Sequence, residues 1–167
     1  MRMKGLFASA VLVLTLAACS QAPPPAPPDT RAADAQAIRE VIATSSAAAA
    51  SKDYDNFFAY YDQDASVFAP DAPVVTGLPA IKTTVLSAFA DPNFAIDIQI
   101  AKVEVSKAGD LGYAQGTFTQ KATNPKTKKV ESRDGKWVTV FKKETDGSWK
   151  AVSDIFNFSG PATPVKK

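Results

Sequence analysis

The chain has 167 residues, enough for one domain of ordinary size, and carries 19 basic and 17 acidic residues. It contains no histidine and a single cysteine, Cys19. This composition excludes histidine-based catalytic triads and the usual zinc sites, and it leaves Asp, Glu, Tyr and Lys as the groups for proton transfer.

The N-terminal segment has the composition of a lipoprotein signal peptide. Arg2 and Lys4 form a basic start, and the apolar run 6–16 is shorter than a bilayer-spanning helix requires. The run ends in LAAC, which resembles the lipobox of bacterial lipoproteins and predicts cleavage after residue 18 and acylation of Cys19. Ser20 stands where an aspartate commonly signals retention in the inner membrane, so it favours the outer membrane. The alternative is an ordinary signal peptide with a chance cysteine.

Removal of residues 1–18 changes the charge balance. Without Arg2 and Lys4 the 19 basic residues fall to 17, which equals the number of acidic residues. A neutral mature chain gives no electrostatic reason for nucleic-acid binding, and a lipidated Cys19 leaves no thiol for a disulfide, a nucleophile or a metal. We therefore expect membrane lipid as a partner through Cys19, and no nucleic acid, metal or cofactor.

Proline and glycine mark both ends of the predicted domain. Residues 19–28 consist of the cysteine and a stiff polyproline-type tether, and residues 160–167 have the composition of a flexible tail. Between them, residues 29–159 carry the patterns of one domain.

Three helices are predicted in the first half of this domain. Asp29 or Thr30 caps a helix that runs toward Lys52 with Ile38 and Ile42 on its apolar stripe. A second helix is predicted from Asp53 or Asp55 through the sequence NFFAYYDQD, and a third over residues 80–89. The segment 64–77 between them indicates two short strands.

Four longer strands are predicted in the second half. Apolar residues alternate from Ile96 to Val105 with a bulge near Ala101, and three more strands cover residues 111–123, 130–144 and 149–158. This order predicts an α+β fold, with the helices collected on one face of an antiparallel sheet.

Four blocks of sequence resemble one known superfamily. They are SKDYDNFFAYYDQDASVFAP, VTGLPAIKTTV, GDLGYAQGTFT and GKWVTVFKKETDGSWKAVSDIFN. They are similar to the nuclear-transport-factor-2-like (NTF2-like) proteins, which include SnoaL-like and ketosteroid-isomerase-like members, and most of all to the group called domain of unknown function 4440. The resemblance implies a cone in which three helices pack on a curved antiparallel sheet around one open pocket. It also implies that dimers are common.

The resemblance argues against steroid-isomerase chemistry. The position of the isomerase base falls on Ala69, and the positions of the two oxyanion donors fall near Ser45 and Thr139. An alanine cannot accept the proton that enolisation removes from carbon, so we expect no such activity.

Asp154 is the candidate for any remaining acid–base chemistry, because it lies among apolar residues on the final strand. Structural, ligand-binding and catalytic roles all remain open for it. The predicted ligand pocket consists of Tyr61, Gln115, Thr117, Trp137, Thr139, Asp154 and Asn157.

The sequence leaves three functions open. The leading hypothesis is a lipid-anchored, periplasm-facing domain that binds a small apolar ligand without catalysis. The second is an isomerase, cyclase or hydrolase acting through Asp154, and the third is a structural or interaction lipoprotein of the envelope. For the third, six basic residues gather around one hairpin as a solvated tip or as a contact for anionic envelope polymers: Lys121, Lys126, Lys128, Lys129, Arg133 and Lys136.

Overall fold

A computed structural model describes residues 28–165 of the chain. The predicted signal peptide, Cys19, nearly all of the tether, and the last two residues lie outside this range. The described elements are α1 (Arg31–Ser51), α2 (Tyr54–Phe58), β1 (Tyr61–Phe68), β2 (Val75–Thr76), α3 (Leu78–Phe89), β3 (Ala95–Val105), β4 (Leu111–Thr123), β5 (Val130–Lys143), β6 (Trp149–Phe158) and β7 (Thr163–Pro164).

The first helix covers the sheet with one narrow face. Its buried residues follow a helical spacing: Asp34, Ile38, Ile42, Ser45 and Ala48. The small side chains in its C-terminal half allow the helix to lie close to its neighbours. The helix ends at Lys52, whose left-handed backbone conformation (φ 59°) terminates the hydrogen-bond ladder.

The prediction of a long second helix is wrong. Helix α2 has five residues and is capped by Asp53, whose side chain accepts a hydrogen bond from the Asn56 amide. From Tyr61 onward the chain is the strand β1, because Tyr61 pairs with Ala151 of β6. Tyr60 and Tyr61 therefore do not lie on a helix, and their directions follow from strand and turn geometry.

The strands form one sheet in the order β2-β1-β6-β5-β4-β3, and β7 pairs with β5. The bounds of β4 and β6 agree with the sequence prediction, and the predicted bulge in β3 is present between Ile100 and Lys102. The four long strands β3 to β6 pair antiparallel, as predicted. The early strand β1 runs parallel to β6, a pairing that the sequence did not predict, so the sheet as a whole is mixed.

Pairing continues beyond the predicted end of the domain. The sequence placed this end at Ser159, but Thr163 pairs with Ser132 and Pro164 pairs with Glu131. These residues form β7 on the edge of β5, where proline is tolerated because its missing N–H is not needed by a further strand.

The core lies between the helices and the inner face of the sheet. Ile38 and Ile42 of α1 contribute to it together with Phe141, Trp149 and Ala151 of the sheet. None of the helices within residues 28–165 is long and apolar enough to cross a membrane.

Candidate functional site

The register of the sheet places four residues of neighbouring strands in one row on the inner face. Ala114 of β4 pairs with Thr139 of β5, Thr139 pairs with Asp154 of β6, and Asp154 pairs with Val67 of β1. Ala114 and Thr139 are almost fully buried, at 0% and 1% exposure. Asp154 therefore points toward the helices near the middle of the sheet.

Asp154 is held by two hydroxyl groups. The Tyr61 hydroxyl donates to Asp154 Oδ2 over 2.9 Å, and the Thr139 hydroxyl donates to Asp154 Oδ1 over 2.9 Å. Each carboxylate oxygen thus has one donor and keeps acceptor capacity for another. We call Tyr61, Thr139 and Asp154 the polar triad.

Burial shifts the proton affinities of the groups in and beside the polar triad. It raises the pKa of Asp154 above its ordinary value, although the hydrogen bonds from Tyr61 and Thr139 oppose the shift. It also raises the pKa of Tyr61 and of Tyr60 well above the usual tyrosine value, and the negative charge of Asp154 adds to both shifts. Both tyrosines therefore remain protonated hydrogen-bond donors at neutral pH.

Aromatic rings fix the position of Tyr61. Its ring packs edge-to-face against Tyr60 at 4.8 Å between centroids and against Phe57 at 6.2 Å. Tyr60 in turn packs on Phe141 at 5.6 Å. Each of these contacts restricts the tyrosine side chain, so the hydroxyl donor of the polar triad is preorganised.

A second group of rings lies farther along the same face. Phe118 of β4 packs edge-to-face against Phe156 and also contacts Phe158. Between this group and the polar triad lies Trp137, which pairs with Phe156 and is partly exposed. Its indole N–H donates to the Thr117 carbonyl over 3.2 Å, which orients the ring. The polar triad is thus bordered by a partly exposed aromatic wall.

The structure separates the seven residues of the predicted pocket into two sets. Tyr61, Trp137, Thr139 and Asp154 come together on the inner face. Gln115, Thr117 and Asn157 lie on the opposite, exposed face, where Thr117 and Asn157 both pair with Lys136. Their assignment to the same pocket was wrong, because residues at odd spacing along a strand point to opposite faces.

Val67 is a neighbour of Asp154 that the sequence analysis did not identify. It is partly buried and pairs with Asp154 across the parallel strands β1 and β6. Its signal in the sequence was the alternation of Ala65 and Val67 within the segment 64–77, which was predicted as strand, but the partner strand of that segment was not predicted.

The positions that correspond to isomerase functional residues have other roles. Ala69 follows β1 directly and carries no proton-accepting group. Ser45 is buried in α1, and its hydroxyl donates to the Phe57 carbonyl over 3.5 Å. Thr139 stands at the second oxyanion-donor position. Its hydroxyl already donates to the Asp154 carboxylate.

Two surface cavities lie next to the tyrosines. One of about 330 Å³ is lined by Tyr61 together with Phe58, Leu78, Lys82 and Lys150. The other, of about 350 Å³, is lined by Tyr60, Ser45 and Trp149. Asp154 lines neither of them, so Tyr61 is the link between the first cavity and the polar triad. Within the described residues, no three acidic or sulfur ligands lie close enough to hold a metal ion.

Comparison with known proteins gives the family. A profile of the SnoaL-like domain matches residues 38–156, which is more than two thirds of the chain. No curated protein sequence is similar enough to match this chain.

Several solved structures have this fold, and this chain aligns with nearly the whole length of each of them. A ketosteroid isomerase-like protein from Erwinia carotovora atroseptica superimposes with a TM-score of 0.68 at 20% identity, covering 77% of this chain and 98% of that one. A hexachlorocyclohexane dehydrochlorinase from Novosphingobium barchaimii gives 0.65 at 13% identity, covering 80% and 91%. An NTF2-like superfamily protein from Salmonella enterica gives 0.64 at 14% identity, covering 78% and 94%. The chain therefore belongs to the SnoaL-like domain family and has the NTF2-like fold.

Proposed function

We propose that this protein is a lipid-anchored envelope protein whose SnoaL-like domain binds a small, largely apolar molecule that carries a hydrogen-bonding group. The ligand lies against Trp137 on the inner face and places its polar group on Asp154. The polar triad is the observation that carries this proposal. A partly buried ionisable group costs free energy, and an arrangement of one carboxylate with two hydroxyl donors is the polar end expected of a ligand site.

The surroundings of the polar triad favour an apolar ligand. Trp137, Phe156 and Val67 border Asp154 on the same face and are all partly exposed. Such a wall offers apolar area to a ligand, while the unused acceptor capacity of the carboxylate selects for a ligand with a hydroxyl or amine donor.

A screen of polycyclic alcohols, with the matching ketones as controls, tests this proposal. Binding is followed by tryptophan fluorescence and by the rise in melting temperature with ligand concentration. We expect the alcohols to bind more tightly than the ketones, and Asp154→Asn to remove this preference. Trp137→Phe should abolish the fluorescence response but retain the thermal shift, because the remaining Trp149 lies buried against Asp34. No thermal shift with any compound would overturn the proposal.

The raised pKa of Asp154 favours an enzyme as the second candidate. A carboxylate with increased proton affinity is a better base toward a carbon acid, and the hydroxyl donors Tyr61 and Thr139 hold it in place. The dehydrochlorinase and the ketosteroid isomerase-like protein have the same fold, but fold alone does not determine chemistry. Turnover of any screened ketone or cyclic substrate that is lost in Asp154→Asn, while binding remains, would establish this alternative.

The lipid anchor is supported by the sequence LAAC and the preceding apolar run. Ser20 and the tether favour attachment to the outer membrane with the domain facing the periplasm. Replacing Cys19 by alanine should abolish labelling with a radioactive fatty acid. Labelling that persists in the variant would contradict the assignment. The homodimer and the assignment to domain of unknown function 4440 stay predictions.

A further inference from the structure

We propose that the tip of the hairpin between β4 and β5 is a docking surface for a carboxylate-bearing polymer of the bacterial cell wall. The tip consists of residues 121–131. This surface is distinct from the ligand site on the inner face. The orientation of the tip toward the wall rests on the lipid anchor proposed above.

The tip concentrates positive charge. Residues 119–136 contain six basic and two acidic side chains, whereas the described part of the chain as a whole has two more acidic than basic residues. Lys121, Lys126, Lys128 and Lys129 are all exposed, and within residues 28–165 none of them forms an ion pair. Their ammonium groups therefore remain available to an external anion.

The acidic groups near the tip are occupied by neutral donors of the hairpin. Glu131 accepts hydrogen bonds from the Asn124 side chain at 2.8 Å and from the Thr127 hydroxyl at 3.2 Å. Asp91, which follows α3, accepts from the backbone N–H and the hydroxyl of Thr123. These carboxylates reduce the local positive charge, but their oxygens accept hydrogen bonds from neutral groups of the hairpin, and within residues 28–165 neither forms an ion pair with a lysine.

The backbone of the tip is held in one conformation. The Asn124 side-chain oxygen accepts from the backbone N–H groups of Lys126 and Thr127 at 2.8 and 3.1 Å. Lys128 adopts a left-handed backbone conformation with φ 58°, which is unfavourable for a residue with a side chain and is offset by these hydrogen bonds. Because the loop is fixed, less conformational entropy is lost when its lysines bind an anion.

The position of the tip indicates the kind of partner. The tether joins the domain at Thr30, whose hydroxyl donates to Asp34. Asp34 forms an ion pair with Lys143, which lies at the end of β5 opposite the tip. Strand β4 has 13 residues, which corresponds to about 40 Å. The tip is therefore separated from the tether attachment by the length of the sheet. A domain tethered at that end presents the tip to material away from the anchoring membrane.

The chemistry of lysine fits a polymer of this kind. A lysine ammonium acts as a point charge on a flexible stem and does not require a fixed bidentate geometry. Carboxylates repeated on the peptide stems of the cross-linked wall polymer would satisfy several such groups at once. An anionic lipid surface is the competing partner, and the experiment separates the two.

The experiment measures pelleting of the full mature chain, purified in detergent, with isolated peptidoglycan sacculi. We expect binding at about 0.01 M salt and its loss at about 0.3 M, because salt screens exposed charges. Replacing Lys121, Lys126, Lys128 and Lys129 by glutamine should reduce binding at least about tenfold. The matched control replaces four exposed lysines elsewhere by glutamine: Lys52, Lys102, Lys107 and Lys142. It changes the net charge equally and should bind as the wild type does. Melting temperatures of both variants check that the domain is folded.

Three further arms give the proposal definite outcomes. Sacculi whose carboxylates have been amidated should not bind. Phosphatidylglycerol vesicles are tested with the chain of residues 19–167 carrying Cys19→Ala, which has no acyl group to insert into them, and they should bind less of it than sacculi do. The Cys19→Ala chain should pellet with sacculi as well as the acylated chain does, so a failure of the lipid anchor leaves this result unaffected. Equal loss in the two lysine variants, absence of wild-type pelleting, or stronger binding to vesicles would each overturn the proposal.

Discussion

The hydroxyl of Tyr61 donates to Asp154 Oδ2 over 2.9 Å, although the two residues are 93 positions apart in the chain. The contact joins the first long strand to the last, because β1 lies parallel to β6 and directly beside it. It brings a phenol with a raised pKa and a carboxyl group with a raised pKa into one hydrogen bond.

Removal of this donor should increase the proton affinity of Asp154. In Tyr61→Phe the carboxylate loses one of the two hydroxyl groups that stabilise its ionised form, so we expect the pKa of Asp154 to rise further. The loss of this partly buried hydrogen bond should cost about 1–2 kcal/mol of unfolding free energy. A pH titration of the Asp154 carboxyl carbon by NMR measures the shift. Tyr113→Phe is the matched control, since the Tyr113 hydroxyl bonds to the exposed Glu104; an equal effect on Asp154 would contradict the prediction.

The same carboxyl group should make the protein less stable as the pH rises. The pKa of Asp154 is higher in the folded state than its ordinary value of 3.8, so the folded state binds the proton more tightly than the unfolded state does. Its contribution is therefore fully present below pH 3.8 and is lost as the pH increases through the folded pKa. Urea denaturation of the wild type and of Asp154→Asn over a pH series measures it. The stability of Asp154→Asn relative to wild type should increase with pH, and parallel curves would refute the prediction.

The contribution of Asp34 to stability should depend on pH in the opposite direction to that of Asp154. Its ion pair should also contribute more to the free energy of unfolding. The Lys143 ammonium, 2.6 Å away, holds the pKa of this nearly buried carboxylate below its ordinary value, and the Thr30 hydroxyl assists. Lys143→Met leaves the carboxylate without its cation and should lower the unfolding free energy by about 3 kcal/mol. Lys142→Met is the control, because Lys142 is exposed and forms only a 3.5 Å ion pair with Glu144; it should cost less than about 1 kcal/mol.

The stabilisation by Asp34 should disappear in acid. A lowered pKa means that this contribution is present above pH 3.8 and is lost as the pH falls through the folded pKa. The wild type should therefore lose its advantage over Asp34→Asn on acidification, which denaturation of the two proteins at neutral and acidic pH measures. An advantage that persists in acid would show that the ion pair is not its source.

Gly116 should be intolerant of any side chain. A Cβ atom at this position would meet the Gln99 backbone, whose carbonyl carbon would be only 2.9 Å away, where the bulge brings β3 close to β4. Because backbone cannot move aside as a side chain does, Gly116→Ala should cost more than about 3 kcal/mol. Gly160→Ala, where a Cβ would meet nothing within 4 Å, should be nearly neutral in the same thermal denaturation assay. Similar melting temperatures for the two variants would show that β3 can shift.

Regular alternation and turn residues were sufficient to predict most of the sheet. The bounds of β4 and β6 and the bulge in β3 followed from period-two patterns between glycine-containing and asparagine-containing turns. These signals are local, because they depend on how a few adjacent residues meet one face of a sheet. The α+β class follows from the order of the elements, and it is confirmed together with the NTF2-like fold.

The extent of α2 depended on a partner far along the chain. An aromatic run such as FFAYY has no clear period, so it is compatible with either a helix or a strand. Tyr61 pairs with Ala151 of β6, and this pairing makes the chain a strand from Tyr61 onward. No local signal at residues 56–64 contains that information.

The candidate site shows the same division between sequence and tertiary structure. Composition and position singled out Asp154, and alternation showed which residues of each strand share a face. Which of the two faces is covered by helices was decided only when α1 packed onto the sheet, and this placed Trp137 and Thr139 beside Asp154 but Thr117 and Asn157 in solvent. The sequence by itself thus determined the strands and their two-sided pattern. The burial that raises the pKa of Asp154 arose from the tertiary structure, because desolvation depends on every element packed around the group.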